Sequence, residues 1–236
     1  MRALLLPLLL AILLAALVAT PAQAATVDLM VVGKQHVLRG PKEVRLKQRT
    51  VKVAGRRCRV AARTPLSVLA AARLPLGIRD YGRCGGDPQA AGGLYVAKVA
   101  DEREKGRGGW VYKVGRRAGT TGAADPTGPR LRHGQRVTWF WCELQASGGC
   151  QRTLDVRPAR RTVGPGETLR VSVRGYDDFA RGVAAAGATV RLGSVTTATD
   201  AQGVALLTVG PQTGRLRLTA TRVGLVRAFP VTVTVG

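Results

Sequence analysis

Three tryptophans and a tyrosine stand at alternating positions in two short segments, Trp110 and Tyr112 in GGWVYKV and Trp139 and Trp141 in TWFWC. They are the side chains best equipped to engage a ligand, since each joins a large apolar ring to one polar atom. On extended backbone Val137, Trp139 and Trp141 share one face and Thr138, Phe140 and Cys142 the other. A strand this apolar on both faces reads chiefly as sheet core rather than as a stacking platform. Trp110 and Tyr112 also share a face, after a glycine-rich turn that leaves the start of their strand accessible. With Asp125 and Pro126 of the loop at 119–129 they form the candidate binding groove.

Other constellations carry less chemistry. No Gly-x-Ser-x-Gly or His-Glu-x-x-His occurs, and the carboxylates lie in charged turns, so no catalysis is expected. Gly106-Arg107-Gly108-Gly109 lacks the Lys-Ser/Thr and the helix of a phosphate cradle and reads as a hairpin turn. Tyr176-Asp177-Asp178 with Asp200 offers oxygens for Ca²⁺, but Asp in a turn more often binds its own backbone. Cys58, Cys84, Cys142 and Cys150 contain no Cys-x-x-Cys pair, and His36 and His133 sit in turn-like contexts, so neither a metal nor any other cofactor is expected. Four cysteines behind an export signal point to two disulfides. Of three possible pairings, Cys58–Cys84 across a helical segment and Cys142–Cys150 around the loop QASGG are favoured.

The elements that must position these groups follow from periodicity. Residues 1–24 have the form of a signal peptide: Arg2, an apolar run over 3–18, and Ala22-Gln23-Ala24 as a cleavage pattern. The run is too short for a membrane span, and no second one follows, so the mature chain is expected outside the cytoplasm, secreted or in the cell envelope. Strands are expected at Thr26–Val32, 50–53, Leu94–Val99, 110–114 and 135–142. Thr64 and Pro65 open a helix over 64–74 with Leu66, Leu69 and Leu74 near one face. The expectation for 25–150 is therefore α+β, with one helix on a mixed sheet. From 151 to 236 there is no Cys, Trp, Lys or His, and regularly spaced alternating runs predict an antiparallel β-sandwich of about seven strands. No long linker separates the two domains.

The pieces TPLSVLAAA, GGLYVAKV, GGWVYKV, GAADPTGPRLRHGQRV and TWFWC together resemble the transcobalamin-like C-terminal domain, the family called DUF4430. The resemblance implies a β-grasp-like fold for 25–150. In vitamin B12 carriers the related domain closes over cobalamin held by a large helical domain, which has no counterpart here. Cobalamin therefore ranks low, and only Trp110 and Tyr112 match a family landmark. GATVRLGSVTTATDAQGVALLTV resembles bacterial Ig-like or carboxypeptidase-regulatory-like modules, implying an Ig-like sandwich for 151–236.

Charge bounds the partners. The formal net charge is +23, and +22 once Arg2 leaves with the signal peptide. Such a chain attracts polyanions in a salt-dependent way. Thirty arginines against seven lysines, with no asparagine, reflect a GC-rich genome more than a particular contact. The clusters Arg56, Arg57, Arg59, Arg63 and Arg130, Arg132, His133, Arg136 are candidate polyanion contacts, with envelope polymers ahead of nucleic acid for an exported chain. The reading is thus a secreted bacterial binding protein for a small molecule or envelope glycan. The alternative is a structural or adhesive envelope protein acting through its basic surface.

Overall fold

A computed structural model describes residues 24–236; the apolar run and most of the cleavage pattern lie outside the described residues. Within them the chain is β-rich, with nineteen strands and two short helices. A mixed five-stranded sheet is built from β1 (Thr26–Val32), β2 (Val37–Arg45), β8 (Gly108–Val114), β9 (Arg117–Ala118) and β10 (Arg136–Glu143), in the order β2-β1-β10-β8-β9. β1 and β10 run parallel at its centre, and the other pairs are antiparallel. A hairpin of β3 (Arg49–Val53) and β4 (Arg56–Val60) and a three-stranded sheet of β5 (Leu76–Asp80), β6 (Leu94–Val99) and β7 (Glu102–Arg103) complete this part.

The one α-helix among the described residues, α1 (Pro65–Ala70), packs against β1, β3 and β10. Thr64 caps it by accepting from the Ser67 N–H, and Pro65 occupies its first turn, where no amide donor is needed. It ends at Ala70 rather than at the expected Leu74. Ala71 and Ala72 close back with three-residue bonds to Val68 and Leu69, and Arg73 has a left-handed backbone, φ 56°. Leu66, Val68 and Leu69 join Leu29, Val31, Val137 and Trp139 in one core. The Trp139 indole N–H donates to the Pro65 carbonyl at 3.2 Å, tying the helix start to the central strand.

Five strands of this part were not anticipated: the two-residue β7 and β9, and three longer ones. β2 runs through Gly40-Pro41, a pair that ordinarily interrupts a strand, because it is the sheet edge, where a missing N–H costs no ladder bond. β4 is arginine-rich yet alternates, with Cys58 and Val60 buried and the arginines outside. β5 is half-buried along most of its length and carries little period.

Beyond residue 150 nine strands, not seven, form two sheets around a second core. One sheet contains β11 (Thr153–Pro158), β13 (Thr168–Tyr176), β14 (Gly182–Ala184) and β17 (Val204–Thr208). The other has the order β12 (Thr162–Val163), β19 (Val231–Val235), β18 (Gly214–Thr221), β15 (Thr189–Leu192), β16 (Val195–Ala198). It is antiparallel except for β12, which lies parallel to β19.

A third apolar cluster joins the two parts: Met30, Val32, Phe140 and Cys142 on the reverse face of β1 and β10 meet Val226 and Phe229. The two central strands are thus buried on both faces, which is why they read as nearly continuous apolar runs. The Ala118 N–H donates across the junction to the Asp178 carbonyl at 2.9 Å. Lys113, fully buried, donates to the carbonyls of Tyr176 (3.0 Å) and Asp177 (3.1 Å) and to Thr153 Oγ1 (3.3 Å).

Candidate ligand-binding cleft

β8 alternates strictly, so Trp110 and Tyr112 face the first core while Val111 and Lys113 face the junction. Antiparallel register sets Trp110 opposite Trp141 and Tyr112 opposite Trp139. The first pair is edge-to-face with centroids 5.8 Å apart; the second is tilted at 5.4 Å. These cross-strand contacts bind β8 to β10. Trp110 is only 4 % exposed, and its indole N–H is spent on the Glu102 carbonyl at 2.9 Å. It is a core residue whose ring edge borders a cleft, not a free-standing platform.

Tyr112 is half-buried, and its hydroxyl donates to the Thr121 carbonyl at 3.0 Å. Burial raises its pKa above the ordinary phenol value, so at neutral pH it remains a neutral donor. The chain doubles back over this ring at Gly119, where a Cβ would overlap the Tyr112 ring atoms; only glycine permits the approach. The loop is then fixed at two further points. The Ala123 carbonyl accepts from the Leu66 N–H at 2.8 Å, at the start of α1, and the Leu131 N–H donates to Arg63 at 2.9 Å.

Between this loop, β8 and β6 lies a cleft of about 340 Å³, bordered by Tyr95, Val96, Trp110, Tyr112, Gly119 and Thr121. At about 30 Å³ per water it holds on the order of ten waters, at the lower end of small-molecule sites and on the scale of one sugar ring. Its lining combines aromatic and aliphatic side chains with the polar Thr121 and Asp178. The Asp178 carboxylate is 3.3 Å from Lys113 Nζ through one oxygen and accepts from the Cys150 N–H at 2.9 Å through the other.

Of the four residues expected in the groove, the structure brings Trp110 and Tyr112 together at this cleft. Asp125 and Pro126 do not border it. The Asp125 carboxylate accepts from the Thr127 N–H (2.8 Å) and hydroxyl (2.7 Å), bonds that hold its pKa below the usual carboxylate value, and Pro126 is buried. Tyr95 was missed. Its signal was an aromatic side chain at an outward position of an alternating strand, opposite Arg79. Burial and the neighbouring Glu104 carboxylate push its phenol up to about 12.

The remaining candidates take ordinary structural places. Disulfides join Cys58 to Cys84 and Cys142 to Cys150. Gly106-Arg107 is the turn of a hairpin closed by reciprocal bonds between Lys105 and Gly108. Asp177 accepts from the amides of Phe179 and Arg181, and Asp200 from those of Gln202 and Val204, so these carboxylates bind their own turns. Arg56 pairs with Asp80 at 3.1 Å and Arg59 donates to the Gly86 carbonyl at 3.2 Å, both bracing the segment around Cys84. His133 Nδ1 accepts from the Thr26 N–H at 3.2 Å.

No protein-family model and no curated protein sequence matches this chain.

Proposed function

We propose that this is an exported, non-enzymatic binding protein that holds a small molecule or a single ring of an envelope glycan in the Tyr112 cleft. The observation carrying the proposal is the cleft itself, formed where a glycine-dependent loop folds over Tyr112 and is tied down at both ends. Two disulfides support an oxidising compartment. Among the described residues no helix is long and apolar enough to cross a membrane.

For the first part of the chain we favour a β-grasp-like fold of the transcobalamin-like C-terminal type, supported by the central parallel pair and the helix against it. For the second we favour an Ig-like sandwich, supported by two sheets sharing one core. A cleft of about 340 Å³ suits one ring better than a whole cobalamin.

Because Trp110 and Trp139 border the cleft, a ligand entering it changes tryptophan emission. Titration with N-acetylglucosamine and, separately, cyanocobalamin tests the reading. A saturable change with the sugar that Tyr112→Leu abolishes, without a large loss of thermal stability, supports it. The same change persisting in Tyr112→Leu contradicts it.

A further inference from the structure

A second cleft, of about 420 Å³, opens on the opposite side of β8, where the first five-stranded sheet meets β11 and the segment leading into β19. Five arginines border it, Arg116, Arg136, Arg157, Arg161 and Arg227, against a single carboxylate, Asp155. They come from separate stretches of sequence, so the cluster is a product of the fold and not of local composition. Asp155 is already engaged by Arg116, and by Arg157 at 3.3 Å. Arg136, Arg161 and Arg227 have no acidic partner within ion-pair distance among the described residues. Lys113 also lines the cleft but is offset by Asp178, so the five arginines against Asp155 leave a surplus of four positive charges.

Two of the guanidinium groups are also held in place. Arg116 lies over the Tyr176 ring at 4.3 Å and Arg136 over the Phe229 ring at 5.1 Å. A guanidinium resting on an aromatic face keeps its N–H edge available and loses less freedom when that edge binds an anion. One carboxylate carries a single charge and would leave most of the surplus uncompensated. A phosphate carries up to two charges and enough acceptor oxygens for several arginine forks. Ordinary solvated arginines at an edge would neither converge on one cavity from both parts of the molecule nor be backed by rings.

We infer that this junction cleft is a phosphate-binding site, taking a phosphate ester or pyrophosphate group between the two parts of the chain. It is independent of the Tyr112 cleft and stands or falls separately from it. Because anchoring arginines come from both parts, occupancy also braces the junction.

Isothermal titration with inorganic pyrophosphate, glycerol 3-phosphate and citrate tests it, at about 0.15 M salt, where the Debye length of about 8 Å suppresses the general pull of the basic surface. Saturable binding of one phosphate compound per chain is expected, tighter than that of citrate. The tighter of the two phosphate compounds tells a free phosphate from an ester as the source. Arg161→Ala with Arg227→Ala should weaken binding by at least about tenfold, the scale of a lost charge-assisted hydrogen bond. Arg161 is exposed and Arg227 half-exposed, and neither packs under a ring, so this variant should keep its melting temperature. The control Arg130→Ala with Arg132→Ala removes two exposed arginines elsewhere and should change affinity less than twofold. Equal weakening in both variants, citrate binding as tightly as phosphate, or no loss in the Arg161/Arg227 variant would overturn the assignment.

Discussion

Replacing Lys113 by methionine tests how the two parts of the molecule are joined. Methionine keeps most of the length and apolar volume of the lysine stem but removes every donor. In the native protein the ammonium is fully buried and meets the Tyr176 and Asp177 carbonyls, Thr153 Oγ1 and the Asp178 carboxylate, all within 3.3 Å. A lysine has three protons to give, and the Tyr176, Asp177 and Thr153 oxygens take them, which leaves Asp178 as an ionic contact. Removing one partner of a buried ion pair costs about 3–5 kcal/mol, because the other is left uncompensated. The Asp178 side chain is 19 % exposed and keeps its bond from the Cys150 amide, which places the loss near the lower end, at about 3 kcal/mol. That is a large share of the ~5–15 kcal/mol that stabilises a typical domain.

The assay is urea unfolding followed by tryptophan emission, which reports only on the first part of the chain, and by far-UV circular dichroism, which reports on both. Lys113→Met should lower stability by about 3 kcal/mol and separate the two transitions. Adding Asp178→Asn should recover part of the loss, since no charge is then stranded. A loss below about 1 kcal/mol, with both signals still coincident, would refute the reasoning and make Lys113 a bystander at the junction.

Other outcomes follow from the same structure. Removing Cys58–Cys84, with a sequence separation of 26, should cost about 3.5 kcal/mol, and removing Cys142–Cys150, with a separation of 8, about 2.5, as read from denaturant midpoints of the paired alanine variants. Trp110→Ala should destabilise by about 3–5 kcal/mol because the ring is core, and near-normal stability would return Trp110 to the role of a free ligand contact. Tyr95 has a folded pKa raised from 10.0 to about 12, so its contribution to stability is present below pH 10 and lost as pH rises through about 12. Tyr95→Phe should flatten the alkaline fall in melting temperature over that range. Lys113 has the opposite sign: burial lowers its folded pKa, so the desolvation cost of its charged form is relieved as pH rises toward the ordinary lysine value of 10.5, and Lys113→Met should remove that relief.

Much of the architecture was legible because it rests on local rules. Thr64-Pro65 announced the helix start, and the apolar alternation of β8 and β10 announced both strands and the burial of Trp139 and Trp141. The pairing of the cysteines also agreed with the sequence reading. What stayed hidden depends on tertiary context. β2 was not legible across Gly40-Pro41 because nothing local says that it is an edge. Arg136 belonged by sequence to a basic cluster with Arg130 and Arg132, yet its position in β10 carries it to Phe229 and the junction cleft. Lys113 sat unnoticed within GGWVYKV because its acceptors lie 40 and 63 residues away in sequence. For the Tyr112 cleft, the aromatic half was visible. Which part of the following loop would close over it was not, since that depends on the Thr121 carbonyl meeting the phenol and on Gly119 admitting the ring.

The most direct test of the binding proposal is amide chemical-shift mapping of residues 25–236 during titration with N-acetylglucosamine. The account predicts saturable shifts concentrated at Tyr112, residues 119–123 and residues 94–96, and their loss in Tyr112→Leu. Shifts confined to other surfaces, or the same shifts surviving in Tyr112→Leu, would contradict it.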